Sequence, residues 1–326
     1  MHDRAIRVAA AFVMLVISIA PAPVSAQGGD LRMLIANGVA CRAEPEAAGA
    51  VEHRYSVGEI LSARDRVEDG EATWYLNSLG ARAGSRGCWI YGPLTVALDR
   101  SDPATALLAA ANHILARSDE VPFVEYVAVD NVLTRMPRRP HGRAAIEDSP
   151  LLQLRRLEVI ERALAAPDAQ RGPVEQDPLK LAWMHAHADV ASFFEPAGRW
   201  MMDADIYWRL FEEHRGSDAA EAIAWAAAQG SVPRDECYAS CLLETIQRTY
   251  GRYWVELPRG AHVEEAVRRA GEIAAVGARL GCQFPEEPPR ARELVGVLRS
   301  SLAPVSAAGS QALMMHLEAI ERGCAD

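Results

Sequence analysis

His185, His187 and Asp189 stand two residues apart on one stretch of the chain, and a set of two imidazoles and a carboxylate is one that a divalent metal takes. The spacing argues against that chemistry. Residues on a helix advance by ~100° each, so His185 and Asp189 share a face while His187 lies roughly 200° from His185. All three are expected on a solvated helix surface, and no metal or cofactor is expected. Asp203 and Asp205 fail to converge for the same angular reason. The acid pairs Glu212-Glu213 and Glu286-Glu287 read as solvated faces. Gly84-Ser85-Arg86-Gly87 lacks the glycine spacing of a nucleophile elbow. No His-Glu-x-x-His, phosphate loop or Gly-x-Gly-x-x-Gly occurs, so no catalytic residue is assigned.

The cysteines are Cys41, Cys88, Cys237, Cys241, Cys282 and Cys324. Their number is even, and in an exported chain this favours disulfides over metal. Cys237-x-x-x-Cys241 has zinc-like spacing, but no histidine follows at ligand distance. Cysteines four apart on a helix bridge each other only with strain. Cys237 and Cys241 are therefore expected to bond outward, Cys241 with Cys282 and Cys237 with Cys324.

Export is read from the start of the chain. Arg4 and Arg7 precede an apolar run from Val8 to Ala20, broken by Pro21 and Pro23. Val24-Ser25-Ala26 then offers small residues where a signal peptidase reads. Residues 1–26 are expected to be a signal peptide cleaved after Ala26, the mature chain being periplasmic or secreted. The run is too short to span a bilayer comfortably, and no integral membrane segment is expected beyond it. Net charge is −10, which argues against nucleic acid and anionic lipid as partners. The 326 residues suffice for two domains, and 50% apolar content supplies ample core.

The elements that must carry any site change character near residue 98. Before it lie short β-rich runs separated by turns: Met33-Leu34-Ile35, Gly38 to Arg42, Ser56 to Leu61, Ala72 to Leu76 and Gly87 to Tyr91. Val39-Ala40-Cys41-Arg42 leads into a polar turn, Gly58 precedes Glu59-Ile60-Leu61, Trp74-Tyr75-Leu76 opens a middle strand, and Gly87-Cys88-Trp89-Ile90 closes the series. In that order these elements resemble a bacterial SH3-type domain over about residues 31–98, within a domain spanning 27–98. Cys41 and Cys88 depart from the pattern, and the Ser78–Arg86 insertion is longer than a minimal turn. The resemblance implies a small closed β-barrel. It places Cys41 and Cys88 on neighbouring strands, where they are expected to bond. It also implies recognition of a peptide or a peptidoglycan component by an aromatic side made of Tyr55, Trp74, Tyr75, Trp89 and Tyr91, Trp74 being a candidate for the barrel core instead.

Residues 99–326 read as an all-α domain. Ser101-Asp102-Pro103, Ser149-Pro150 and Asp177-Pro178 are caps followed by proline at a helix start. Helices are expected after each, the third running through Leu181 to Phe194. Further helices are expected over about 197–214, 218–229, 235–256, 263–280, 289–302 and 306–322. The stretch 135–148 is basic and proline-containing, and reads as a flexible loop. Tyr207 to Phe211, then a turn, then Ala219 to Ala222 resembles a tetratricopeptide-type hairpin, as does Tyr253-Trp254 ahead of Val263 to Ala266. The offset from Gly216 to Gly260 exceeds the ~34 residues of that repeat, so the expectation is a degenerate solenoid or an irregular helical domain. Trp183, Trp200, Trp208, Trp225 and Trp254 are read as core.

The whole reads as multidomain β + α: an SH3-like barrel followed by helical hairpins. The function expected is that of an exported, non-enzymatic adaptor, with the helical part as a protein-interaction scaffold. The alternative is a cell-envelope hydrolase that uses the barrel for targeting. A third option is an assembly factor whose helical groove holds an extended peptide.

Overall fold

Among the described residues seven strands precede residue 98, all paired antiparallel. The computed structural model describes residues 30–70, 72–77, 87–117, 120–135, 146–169, 177–194, 198–203, 205–230, 238–284 and 286–324. The expected signal peptide, the 78–86 insertion, Cys237 and most of the 135–148 loop lie outside them. The strands are β1 (Asp30–Leu34), β2 (Val39–Arg42), β3 (Val51–Tyr55), β4 (Ile60–Asp69), β5 (Ala72–Asn77), β6 (Cys88–Tyr91) and β7 (Thr95–Ala97), in the order β3-β2-β6-β5-β4-β1-β7. β3 and β7 are not among the expected strands. The expected closed barrel does not form: β3 and β7 stand at opposite edges of an open sheet. β7 is only three residues long, and the first helix lies against it.

Two apolar clusters flank the sheet. A small one on one face consists of Leu34, Val39, Cys41, Leu61, Cys88 and Ile90. On the opposite face, Met33, Ile60 and Val96 join the core of the helices. Alternation along β1 produces this division: Leu34 turns into the sheet's own core and Met33 into the helical one. Cys41 and Cys88 are bonded as expected, with Cα atoms 5.4 Å apart.

The helices are α1 (Ala104–Leu115), α2 (Phe123–Arg135), α3 (Pro150–Ala165), α4 (Pro178–Ala186), α5 (Ile206–Glu213), α6 (Ala220–Gln229), α7 (Ala239–Ile246), α8 (Arg252–Glu256), α9 (Val263–Leu280), α10 (Glu287–Leu302) and α11 (Ser310–Gly323). Ser149 and Asp177 cap α3 and α4 as their positions before proline imply, accepting from the Leu152 and Leu179 amides. α2 was not expected, yet it packs against α3. Three expected helices are interrupted, those through residue 194, over 197–214 and over 235–256. α4 stops at Ala186, and a hairpin of β8 (Ala191–Phe194) and β9 (Arg199–Met202) occupies the following stretch. Gly198 sits at φ +60 between the strands, a conformation that glycine adopts freely. Phe193 faces Trp200 across the hairpin, ring centroids 5.9 Å apart, and Phe193 is exposed.

Between α7 and α8 the chain runs through a π-helical turn, Gln247–Gly251. Trp208 of α5 donates its indole N–H to the Arg248 carbonyl at 3.0 Å, supplying a partner in the disturbed ladder. Trp183, Trp208 and Trp254 are buried, while Trp200 and Trp225 are partly so. Cys282 bonds Cys324 and pins the end of α11 beside the α9–α10 junction. This overturns the pairings expected for both residues: an S–S bond between the two leaves neither for Cys237 or Cys241. Cys241 is itself disulfide-bonded.

Candidate functional site

The register of the sheet separates the five aromatic residues expected to form one surface. Directly paired residues in antiparallel strands share a face. Trp74 pairs with Tyr91 and Leu76 with Trp89, so Trp74, Trp89 and Tyr91 lie on one side. Tyr75 pairs with Ile90, Ile90 with Cys41, and Val39 with Tyr55, which places Tyr75 and Tyr55 on the other side with the disulfide. The expected single aromatic side is therefore two. Tyr75 lies under the Arg32 guanidinium, 3.9 Å from ring centre to carbon. Tyr55 accepts from the buried Asn77 amide at 2.9 Å. Burial raises the Tyr55 hydroxyl's pKa, and the Asn77 bond only partly offsets this. On the opposite side Trp74 is buried, as the core alternative for it had it, and packs on Tyr91 with centroids 5.4 Å apart. Tyr91 is 37% exposed and Trp89 half-buried, so these two are the accessible aromatic residues of that side.

A second constellation lies in the helical part. Asp130 of α2, Arg156 of α3, and Trp183 and His187 from α4 and its end meet around one buried carboxylate. Asp130 is 3% exposed and His187 5%. Asp130 Oδ1 accepts from Arg156 Nε at 2.9 Å, while Oδ2 accepts from Trp183 Nε1 at 3.2 Å and from His187 Nε2 at 2.9 Å. The imidazole stacks on Trp183, and its Nδ1 faces the Trp183 carbonyl at 2.8 Å. Both ring nitrogens thus meet acceptors, and only the imidazolium satisfies both. Burial pushes the His187 pKa down, but the bonds to Asp130 and the Trp183 carbonyl outweigh it and the net direction is up. Burial likewise pushes Asp130 up, and His187 and Arg156 together bring it below the ordinary carboxylate value.

His187 therefore corrects the expected solvated helix surface, whereas His185 and Asp189 are exposed as expected. A constant advance of ~100° per residue holds only in an unbroken helix. His187 is the C-cap at φ −119, ψ 20, so the constant advance per residue ends before it. Its partner Asp130 lies on the helix that was not foreseen. Glu287 is a second correction: it is buried rather than solvated, accepting from Ser240 Oγ and from the Gln283 and Phe284 amides. Glu212 remains at the surface with Arg215 and Arg252. Asp203 and Asp205 diverge as expected, toward Arg209 and Arg248 respectively. Among the described residues no group of three His, Cys, Asp or Glu could hold a metal ion.

Arg156 connects the buried cluster to a cavity of about 350 Å³ between α3 and α5. Its floor is Leu157, Ile206 and Leu210, with Ile146 alongside. A second, more polar cavity of about 500 Å³ opens over Tyr207, whose hydroxyl donates to Glu161 at 2.8 Å. Burial, reinforced by the Glu161 carboxylate, raises that hydroxyl's pKa far above its ordinary value. It is held as a donor and does not ionise. No family model matches this chain, and no curated protein or solved structure matches it either.

Proposed function

We propose that this protein is an exported, non-enzymatic adaptor whose sheet, resembling an SH3-type module, captures a peptide or a peptidoglycan component while the helices hold a second partner. The observation that carries the reading is the pairing of an exposed Tyr91 and a half-buried Trp89 on one strand, backed by buried Trp74. Stiff aromatic rings fixed by a packed base lose little conformational entropy on binding, which is what an anchor surface requires. The disulfides support export. Cys41–Cys88 and Cys282–Cys324 suit an oxidising compartment such as the periplasm. Among the described residues no helix is long and apolar enough to cross a membrane.

The test is capture and turnover in one experiment. Mature protein is incubated with purified peptidoglycan, and both the sedimented protein and the soluble fragments are measured. Co-sedimentation that Trp89→Ala and Tyr91→Ala abolish, with no fragments released, supports the adaptor. Release of soluble fragments would replace it with the envelope hydrolase.

A further inference from the structure

We infer that the cavity between α3 and α5 is the subsite for a peptide's carboxy terminus, taking an apolar last residue on its floor and the terminal carboxylate on Arg156. The inference rests on the adaptor reading and names the chemistry of the second partner.

Arg156 Nε is anchored on Asp130, and Nη2 stands 3.4 Å from His187 Nε2. Nη1 has no partner among the described residues, although the side chain is only 31% exposed and borders the cavity. A half-buried guanidinium, aimed by a buried carboxylate and left with an open edge, is a prepared carboxylate receptor.

Charge points the same way. Asp130 carries one negative charge against the positive charges of Arg156 and a protonated His187. The cluster holds a surplus of one positive charge, and Arg156 is its member at the cavity. The groups facing His187 are Asp130 from α2, Arg156 from α3, and Trp183 from α4. His187 acts here as a positioning residue. Once the imidazolium loses a proton, the surplus positive charge disappears, while Nε2–H remains the donor to Asp130. The cavity then attracts a carboxylate less.

The rim decides between a peptide and a simple fatty acid. Glu147 and Glu213 border the cavity, are exposed, and have no side-chain partner among the described residues. Arg209, also at the rim, is tied to Asp203 at 3.0 Å. Two unpaired carboxylates at the mouth repel a bare anion. They favour one whose chain carries a cation further back, as a peptide with a basic residue upstream does. A volume of about 350 Å³ is at the small end for a ligand pocket and suits a terminal residue rather than a long chain.

The experiment titrates the full mature protein with acetyl-Lys-Ala-Leu bearing a free carboxylate, the same peptide amidated, and octanoate. The free acid is expected to bind best, amidation to weaken it by roughly tenfold, and Arg156→Met to have a similar effect. Affinity should fall as the pH rises above that of an ordinary histidine's titration, and His187→Gln should remove that dependence. Glu213→Lys changes only the surface; it should weaken the lysine peptide and strengthen octanoate. Equal binding of acid and amide, octanoate binding as well as the peptide, or a pH dependence unaltered in His187→Gln would each overturn the inference. Tyr91→Ala should leave this binding intact. If the peptide fails to bind while Tyr91-dependent capture persists, the inference alone falls; if both fail, the adaptor reading falls with it.

Discussion

His187 Nε2 lies 2.9 Å from Asp130 Oδ2, and this contact ties the end of α4 to α2 inside the helical core. Every acceptor site that Asp130 uses is filled by a charged or indole donor. Such a cluster is costly to break by halves, because the remaining charges stay behind in a poorly solvated place. Asp130→Ala is expected to destabilise the fold by about 3 kcal/mol, the lower part of the range for buried pairs, since Arg156 can reach water. Denaturant unfolding of the variant beside the parent measures it. A loss of a few tenths of a kcal/mol would show the cluster to be energetically idle.

The same contact sets a pH window for stability. His187 titrates higher when folded, so its contribution is complete below its ordinary pKa of 6.5 and is lost as pH rises through the raised value. Asp130 titrates lower when folded, so its contribution is complete above its ordinary value of 3.8 and is lost as pH falls through the lowered one. Stability due to the cluster is therefore greatest in mildly acidic solution between the two. Unfolding free energies at about pH 5 and about pH 9 should differ more for the parent than for His187→Gln. Equal differences in the two proteins would contradict the assignment.

Gly58 joins the sheet to the helices. It sits at φ +83, and a Cβ built there would lie 2.5 Å from Val132 Cγ2 of α2. Gly58→Ala is expected to cost about 1–3 kcal/mol through the clash and the strained backbone together. Adding Val132→Ala should recover part of that loss, since it removes the clash and leaves the φ. A double-mutant cycle with no coupling would mean that sheet and helices do not meet here.

The disulfides are expected to act alike. Each closes a loop of comparable length, with sequence separations of 47 and 42, worth about 4 kcal/mol apiece in the chain-entropy account. Non-reducing peptide mapping should recover Cys41–Cys88 and Cys282–Cys324. Replacing the second pair with serine should lower stability and increase exchange of the α11 amides.

What the sequence made legible follows from how locally each feature is encoded. α9 was expected over 263–280 and found at Val263–Leu280, because its apolar residues recur at helical spacing and Gly281 terminates it at φ +64. α2 was missed, though Phe123, Tyr126, Val127, Asp130 and Leu133 mark one face of a helix and are all buried. Its β-branched residues obscured the period, and an aspartate within an apolar stripe was the signal that something must pair with it. The β8–β9 hairpin was read as helix because Phe193-Phe194 and Trp200-Met201-Met202 are short apolar runs, which suit either element. Pro196 and Gly198 between them were the overlooked turn signal. The division of the aromatic residues between two faces depends on pairing between distant strands. No local pattern encodes that register.

The most direct test of the central claim is capture affinity measured beside thermal stability for Tyr91→Ala and Trp89→Ala. Tyr91 projects from the sheet while Trp74 holds its base, so Tyr91→Ala should weaken capture of peptidoglycan or partner peptide by about 1–3 kcal/mol with little change in melting temperature. His185→Ala and Asp189→Ala, both exposed and remote in role, should leave capture unchanged. Normal capture by Tyr91→Ala, together with loss of an activity in His185→Ala, would contradict the account and move the functional site into the helices.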